Sequence, residues 1–165
     1  MNTNSLNLAL RWNLLAAAKS RLSNADSLDD VIAIVQSVAR SICQADGVTF
    51  VLRDGDKCHY VEEDAVGPLW RGQKFPMSAC ISGWCMIHGK TVAIQDIYHD
   101  DRIPHDAYRP TFVKSLVMTP VRIDSPVAAI GAYWSEKRNF SGREIVIMES
   151  LAESVGAAMR MAMAA

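Results

Sequence analysis

Residues 78–90, SACISGWCMIHGK, place Cys80, Trp84, Cys85 and His88 within a dozen positions, interrupted by Gly83 and closed by Gly89. Two cysteines near a histidine are the raw material of thiol chemistry. A thiolate attacks, becomes a sulfenic acid and is resolved by a second thiol. The spacing speaks against it, because five residues on a helix make about a turn and a half, so Cys80 and Cys85 face each other only approximately. No C-x-x-C links Cys43, Cys58, Cys80 and Cys85, which argues against a zinc ribbon or a thioredoxin-type dithiol. Buried free thiols are the plainer reading, and the segment then reads as a short helix covering a pocket.

A second concentration of chemistry lies in residues 98–114, YHDDRIPHDAYRPTFVK. Tyr98, Tyr108 and Phe112 offer apolar walls, and His99, Arg102, His105, Arg109 and Lys114 offer donors. A few polar groups in an aromatic setting suit a small ligand, and the cations lean toward an anionic one. Cys80 and Trp84 of the short helix complete this candidate ligand set, although Trp84 also reads as core. The competing reading pairs Arg102 and Arg109 with Asp100, Asp101 or Asp106 at the surface, and the sequence leaves both open. His88, His99 and His105 have no His-x3-His or H-E-x-x-H spacing, so no metal is expected. Neither a Walker loop nor a G-x-G-x-x-G is present.

The chain has 165 residues, half of them hydrophobic and 21% charged, which suits one domain with its own core. A net charge of −1 provides no basic surplus for nucleic acid. No apolar run reaches bilayer length, so no membrane association is expected. The N-terminal segment has its basic residues Arg11, Lys19 and Arg21 inside or after the apolar positions, unlike a signal peptide. Leu6, Leu10 and Leu14, followed by Ala17 and Ala18, read as an amphipathic helix. A cytoplasmic protein is expected.

Ser27 and Asp30 offer a helix start, and Leu28, Val31, Ile32, Val35, Val38, Ala39 and Ile42 form a 3.6-residue stripe that ends at Gln44–Gly47. The period then changes to two. Val48, Phe50 and Leu52 alternate with Thr49, Val51 and Arg53, Asp54–Asp56 turn, and residues 58–62 return. Residues 64–77 read as a loop, 91–97 as a strand, 98–112 as an irregular connection, and SLVMTPVRI and VAAIGAYW as two further strands. Ser141 and Glu144 form a capping box for a final helix, in which Ile145, Met148, Ala152, Val155, Met159 and Ala162 recur three and four apart. That seam fits either packing on the chain's own sheet or a coiled coil, and helices at both chain ends favour a homodimer. Consecutive strands with flanking helices predict an α+β domain with an antiparallel sheet.

The pattern resembles a GAF domain over residues 28–160. The carrying residues are Ser82–Gly83–Trp84, Val92–Ile97, Lys114–Ser115–Leu116 with Pro120–Val121, and IGAYWS at 130–135 followed by NFSGREI. The segment from 78 to 121 is similar to GAF input domains that precede histidine kinases in many proteobacteria. The resemblance implies an antiparallel sheet of five or six strands, with terminal helices on one face and a pocket under the short helix on the other. It divides the chain into an N-terminal helix and connector, 1–27, and a GAF domain, 28–163. It implies a non-catalytic, cofactor-free sensor that binds an unknown small molecule and signals through dimerising helices to a histidine kinase output. With no kinase, phosphoacceptor or DNA-binding segment in the sequence, the chain would be a truncated input module or act in trans. Alternatives are a ligand-free dimerisation module and a thiol-dependent free methionine sulfoxide reductase, since some GAF domains are such enzymes. Those reductases carry a nucleophilic cysteine in the connection after the third strand, where this chain reads RIPHDAY. Bilin-binding members need a cysteine before a histidine there, and Pro104–His105 stands in that place.

Overall fold

The computed structural model describes residues 3–164, with side chains from residue 7 onward. Helices α1 (Thr3–Ser23) and α2 (Leu28–Cys43) lead into strands β1 (Gly47–Asp54), β2 (Lys57–Ala65) and β3 (Lys74–Pro76). Helix α3 (Ile81–His88), strand β4 (Val92–Ile94) and the single turn α4 (His105–Tyr108) follow, then β5 (Ser115–Arg122), β6 (Pro126–Trp134) and the long α5 (Gly142–Ala164). The strands form one antiparallel sheet in the order β3-β2-β1-β6-β5-β4. This is the expected α+β architecture, and its six strands fall within the five or six that the resemblance implied, although the residue pattern itself marked only five. Strand β3 lies inside the stretch read as a loop, because three residues are too few to carry a period.

Alternation along the strands divides the interior into two cores. Val48, Phe50, Val117, Ile130 and Trp134 point toward α1, α2 and α5, whereas Val51, Leu116, Met118, Ala129 and Tyr133 point toward α3 and the connection that follows it. Both helix starts read from the sequence are made. Ser27 Oγ accepts from the Asp30 N–H at 3.1 Å, and both arms of the Ser141–Glu144 capping box close, at 3.2 and 3.0 Å. The final helix lies on its own sheet, burying Ile147, Leu151, Val155 and Met159. At Gly156 it approaches β5 so closely that a Cβ would fall inside the Arg122 carbonyl.

The N-terminal helix turns a different face inward from the one expected. Leu10 is 56% exposed, and the buried line is Arg11, Leu15, Ala18 and Leu22. The Leu6 side chain lies outside the described residues. A buried arginine sets this rotation. Arg11 donates to the carbonyls of Ile42 at 2.8 Å and Cys43 at 3.1 Å, which the last turn of α2 leaves without helical partners, and it faces Glu144 of α5 at 3.5 Å. Among the described residues, no helix is long and apolar enough to cross a membrane.

Candidate functional site beneath helix α3

The site starts with a cysteine at a helix entrance. Cys80 has extended backbone (φ −145°), and its carbonyl accepts the first helical bond of α3, from the Trp84 N–H at 3.1 Å. Only glycine at 83 lets this first turn lie against the turn Met77–Ala79, since a Cβ there would overlap the Met77 carbonyl. Gly89, at φ 62°, stops the helix in the left-handed conformation. The Cys80 side chain therefore points under the helix, 7% exposed.

There it meets a second thiol. Cys58 alternates with Tyr60 along β2, so both face the α3 side of the sheet. Their sulfurs and hydroxyls form a line: Met77 Sδ to Cys58 Sγ, 3.3 Å; Cys58 Sγ to Cys80 Sγ, 3.2 Å; Cys80 Sγ to Ser82 Oγ, 3.3 Å; Ser82 Oγ to Tyr60 Oη, 3.0 Å. The two thiols are not equivalent. The hydrogen bond it shares with Cys58 holds the Cys80 thiol below its ordinary range, helped against burial by the Ser82 hydroxyl and the N–H groups of Gly83 and Ser82. Sharing a site with Cys80 pushes Cys58 up, and burial adds to it. The remaining two cysteines are inert, as burial pushes Cys43 and Cys85 each up to about 12.

Around Cys80 an aromatic cage closes. Trp70 packs against Tyr108 at 4.6 Å, Tyr133 at 5.5 Å and Tyr60 at 5.6 Å between ring centres, and Phe75 stands edge-on to Tyr60 at 5.5 Å. The Trp70 indole N–H donates to the Ala107 carbonyl at 3.1 Å, which ties α4 to the cage. Tyr60, Trp70, Phe75, Cys80, Pro104, Ala107 and Tyr108 line a narrow cavity of about 10 Å³, room for about one water at most. The Tyr108 hydroxyl is buried and, among the described residues, has no hydrogen-bond partner.

Of the ten residues expected at the site, Cys80 and Tyr108 line this cavity. Most of the others stand on the outer side of the connection. Arg102 is bound to Asp100 at 2.6 Å, Arg109 to Asp106, and His99 to Asp96 at 2.6 Å. These are surface pairs, so the lean toward an anionic ligand loses its basis in them. Trp84, half-buried, stacks on His88 at 4.1 Å with the Arg102 guanidinium 4.5 Å from its ring. Lys114 sits 5.6 Å from the Tyr98 ring. Phe112 closes over Gly47, where a Cβ would come 2.8 Å from its ring. His105 Nε2–H donates to the Ile97 and Asp100 carbonyls, both at 3.0 Å, and thereby shapes the turn. Sequence reasoning missed Cys58, Tyr60, Trp70 and Phe75. The alternation of Cys58 with Tyr60 was a usable signal, whereas Trp70 lies in a loop with no period to place it.

Residues 25–160 match the model of a family described as GAF domain. No curated protein matches the chain. Among solved structures, the free methionine-R-sulfoxide reductase of Neisseria meningitidis, in complex with its substrate, is similar at a TM-score of 0.81 and 16% identity, over 95% of this chain and 92% of that one. The GAF domain of an Acinetobacter phosphoenolpyruvate-protein phosphotransferase is similar at 0.78 and 13% identity, over 94% and 96%. The type II free methionine-R-sulfoxide reductase of Thermoplasma acidophilum is similar at 0.64 and 16% identity, over 79% and 95%. At such identities the likeness shows the fold alone. It nevertheless corrects the expectation of a chain without enzymatic activity: this fold is shared with reductases, so the architecture from which a non-catalytic role was inferred does not exclude catalysis.

Proposed function

The chain belongs to the GAF domain family, and on that premise we propose that it binds a small molecule beneath α3 and relays its presence to the terminal helices. The observation that carries this reading is the unpartnered Tyr108 hydroxyl in the wall of an aromatic cavity. A buried hydroxyl without a partner costs about 1–3 kcal/mol, which a ligand supplying that hydrogen bond recovers. The ligand is small and largely apolar, with one polar group for Tyr108. The narrow cavity admits it only if α4 and Trp70 move, and that movement makes binding a conformational event.

A physical route leads from the cage to the helices. Trp70 rests on Tyr133, whose hydroxyl is bonded to Thr49 at 2.8 Å. The next residue, Trp134, faces the opposite side and donates its indole N–H to the Gln44 carbonyl, at the end of α2, at 2.8 Å. Coupling along this route requires the ligand to bind one helix arrangement more tightly than the other. Leu10, Trp12, Val146, Met161 and Met163 leave apolar side chains exposed on α1 and α5, which supports a homodimer through these helices. A histidine kinase in trans or in the same polypeptide is the output we favour.

Native followed by denaturing mass spectrometry tests the reading. A dimer carrying extra mass that is lost on denaturation is the expected result. Protein that stays bare, and whose melting temperature no small metabolite in a broad screen shifts, overturns it. The 3.2 Å approach of Cys58 to Cys80 favours a second reading, thiol-dependent reduction of free methionine sulfoxide. Its test is chromatographic detection of methionine formed with dithiothreitol as reductant; no turnover above a protein-free control ends that reading.

A further inference from the structure

We propose that Cys80 and Cys58 form a peroxide-reactive redox site, in which hydrogen peroxide oxidises Cys80 and Cys58 resolves it as a disulfide. The proposal needs neither a bound ligand nor sulfoxide turnover. It rests on three features of the geometry. The two sulfurs are 3.2 Å apart, so a disulfide needs them to close by only about 1.2 Å. Cys80 stands at the entrance of α3 beside the Ser82 hydroxyl, at 3.3 Å, and its thiolate faces the N–H groups that open the helix. Cys58 lies deeper, fully buried against Met77, and although it shares the Ser82 hydroxyl, Cys80 and burial push its thiol up. These surroundings make Cys80 the attacker and Cys58 the resolving thiol.

The cavity sets the class of oxidant. Cys80 is its reactive wall, and its narrow interior takes a molecule about the size of water. With α4 and Trp70 in place, hydrogen peroxide fits that limit and bulky organic hydroperoxides do not. The Tyr108 hydroxyl, unpartnered in the same wall, is the donor available to the departing oxygen.

In the first step the Cys80 thiolate attacks one peroxide oxygen and the O–O bond breaks. The other oxygen leaves as hydroxide, takes up the proton that Cys80 had released and becomes water, while the sulfur, oxidised by two electrons, becomes a sulfenic acid. In the second step the Cys58 sulfur attacks the Cys80 sulfur, the S–O bond breaks, and hydroxide leaves with the Cys58 proton as a second water. Two thiols and one hydrogen peroxide thus give one disulfide and two waters. The product ties the first turn of α3 to β2, and an external dithiol reverses it.

The test is peptide mapping of the intact, reduced protein after stoichiometric hydrogen peroxide, with no other thiol present. The expected result is loss of two hydrogens, a cross-link between the peptides of Cys58 and Cys80, and recovery with dithiothreitol. Cys58→Ala stops at a sulfenic acid on residue 80, trapped by dimedone, and Cys80→Ala gives neither product. Alanine leaves no unpaired polar group at either site, and the wild-type map stands by itself should either variant fold poorly. No cross-link with excess peroxide, or oxidation that reaches Cys43 or Cys85 as fast as Cys80, overturns the proposal. A tert-butyl hydroperoxide reaction as fast as that of hydrogen peroxide overturns the size argument.

Discussion

Tyr108 shows how one atom can tie stability to binding. Its ring is a wall of the cage, but its hydroxyl has lost water and gained nothing, and burial pushes its ionisation up. Tyr108→Phe keeps the ring packing and removes the unsatisfied group. The ligand-free variant should be more stable than the wild type by about 1 kcal/mol in urea denaturation, and its affinity for any cavity ligand should fall. A loss of stability would instead mean that the hydroxyl already has a partner. The same residue shows what was legible beforehand. Tyr108 stood among the expected wall residues because aromatic side chains in an unperiodic connection suit a pocket. The cations beside it suited one equally well, yet Arg102, Arg109 and His99 each found a carboxylate two or three residues away. Local pairing at that spacing costs little chain entropy, so it prevails over convergence on a distant centre.

Elements here are held by side chains that act at their ends. Arg11 joins three helices, by bonding the last carbonyls of α2 from α1 and facing Glu144 at the start of α5. Arg11→Leu should cost about 2–4 kcal/mol, because two buried carbonyls lose charged donors. Lysine should rescue little, since a single ammonium does not reproduce the fork. Urea midpoints of the three proteins check this. Asp96 does similar work on the connection: its carboxylate accepts from the Tyr98 N–H at 3.1 Å and binds Lys137 at 3.0 Å and His99 at 2.6 Å. The bond from Lys137 chiefly holds its carboxyl down, to about 2. The folded value lies below the unfolded one, so the stabilisation is complete above about pH 4 and is lost as the pH falls toward 2. The stability difference between wild type and Asp96→Asn should therefore be constant at neutral pH and shrink across that acid window, as denaturation at stepped pH would show.

At the scale of the molecule, one sheet separates two cores with different duties. The helical core is broad and aliphatic, while the other is aromatic, sulfur-rich and wrapped around a cavity. Function is expected where packing is least complete, and in the proposed reading the terminal helices carry the state outward. Val146, 52% exposed beside Trp12 and Leu8 on the outer face of α1 and α5, tests that connection. Val146→Glu should leave melting nearly unchanged and halve the mass measured by light scattering, if these helices form the dimer. A wild-type protein that is monomeric at micromolar concentration would remove the dimer from the proposal.

The order and type of the longer elements came from the sequence by itself, since caps and periods are local; the three-residue β3 and the single turn α4 are too short to carry a period. Ser27 with Asp30, Ser141 with Glu144, and the alternation from Val48 to Arg53 each act within a few residues of themselves. Tertiary structure alone decided which face of α1 turns inward, because Arg11 seeks carbonyls 31 and 32 residues away. It also decided which thiol meets which. Cys80 and Cys85 were neighbours in the chain, but helical rotation separates them, with Cys85 reaching toward the Met118 carbonyl, whereas antiparallel β2 brings Cys58 to Cys80 across 22 residues. Spacing reports only what one element can hold together; a site assembled between elements depends on how their faces pack.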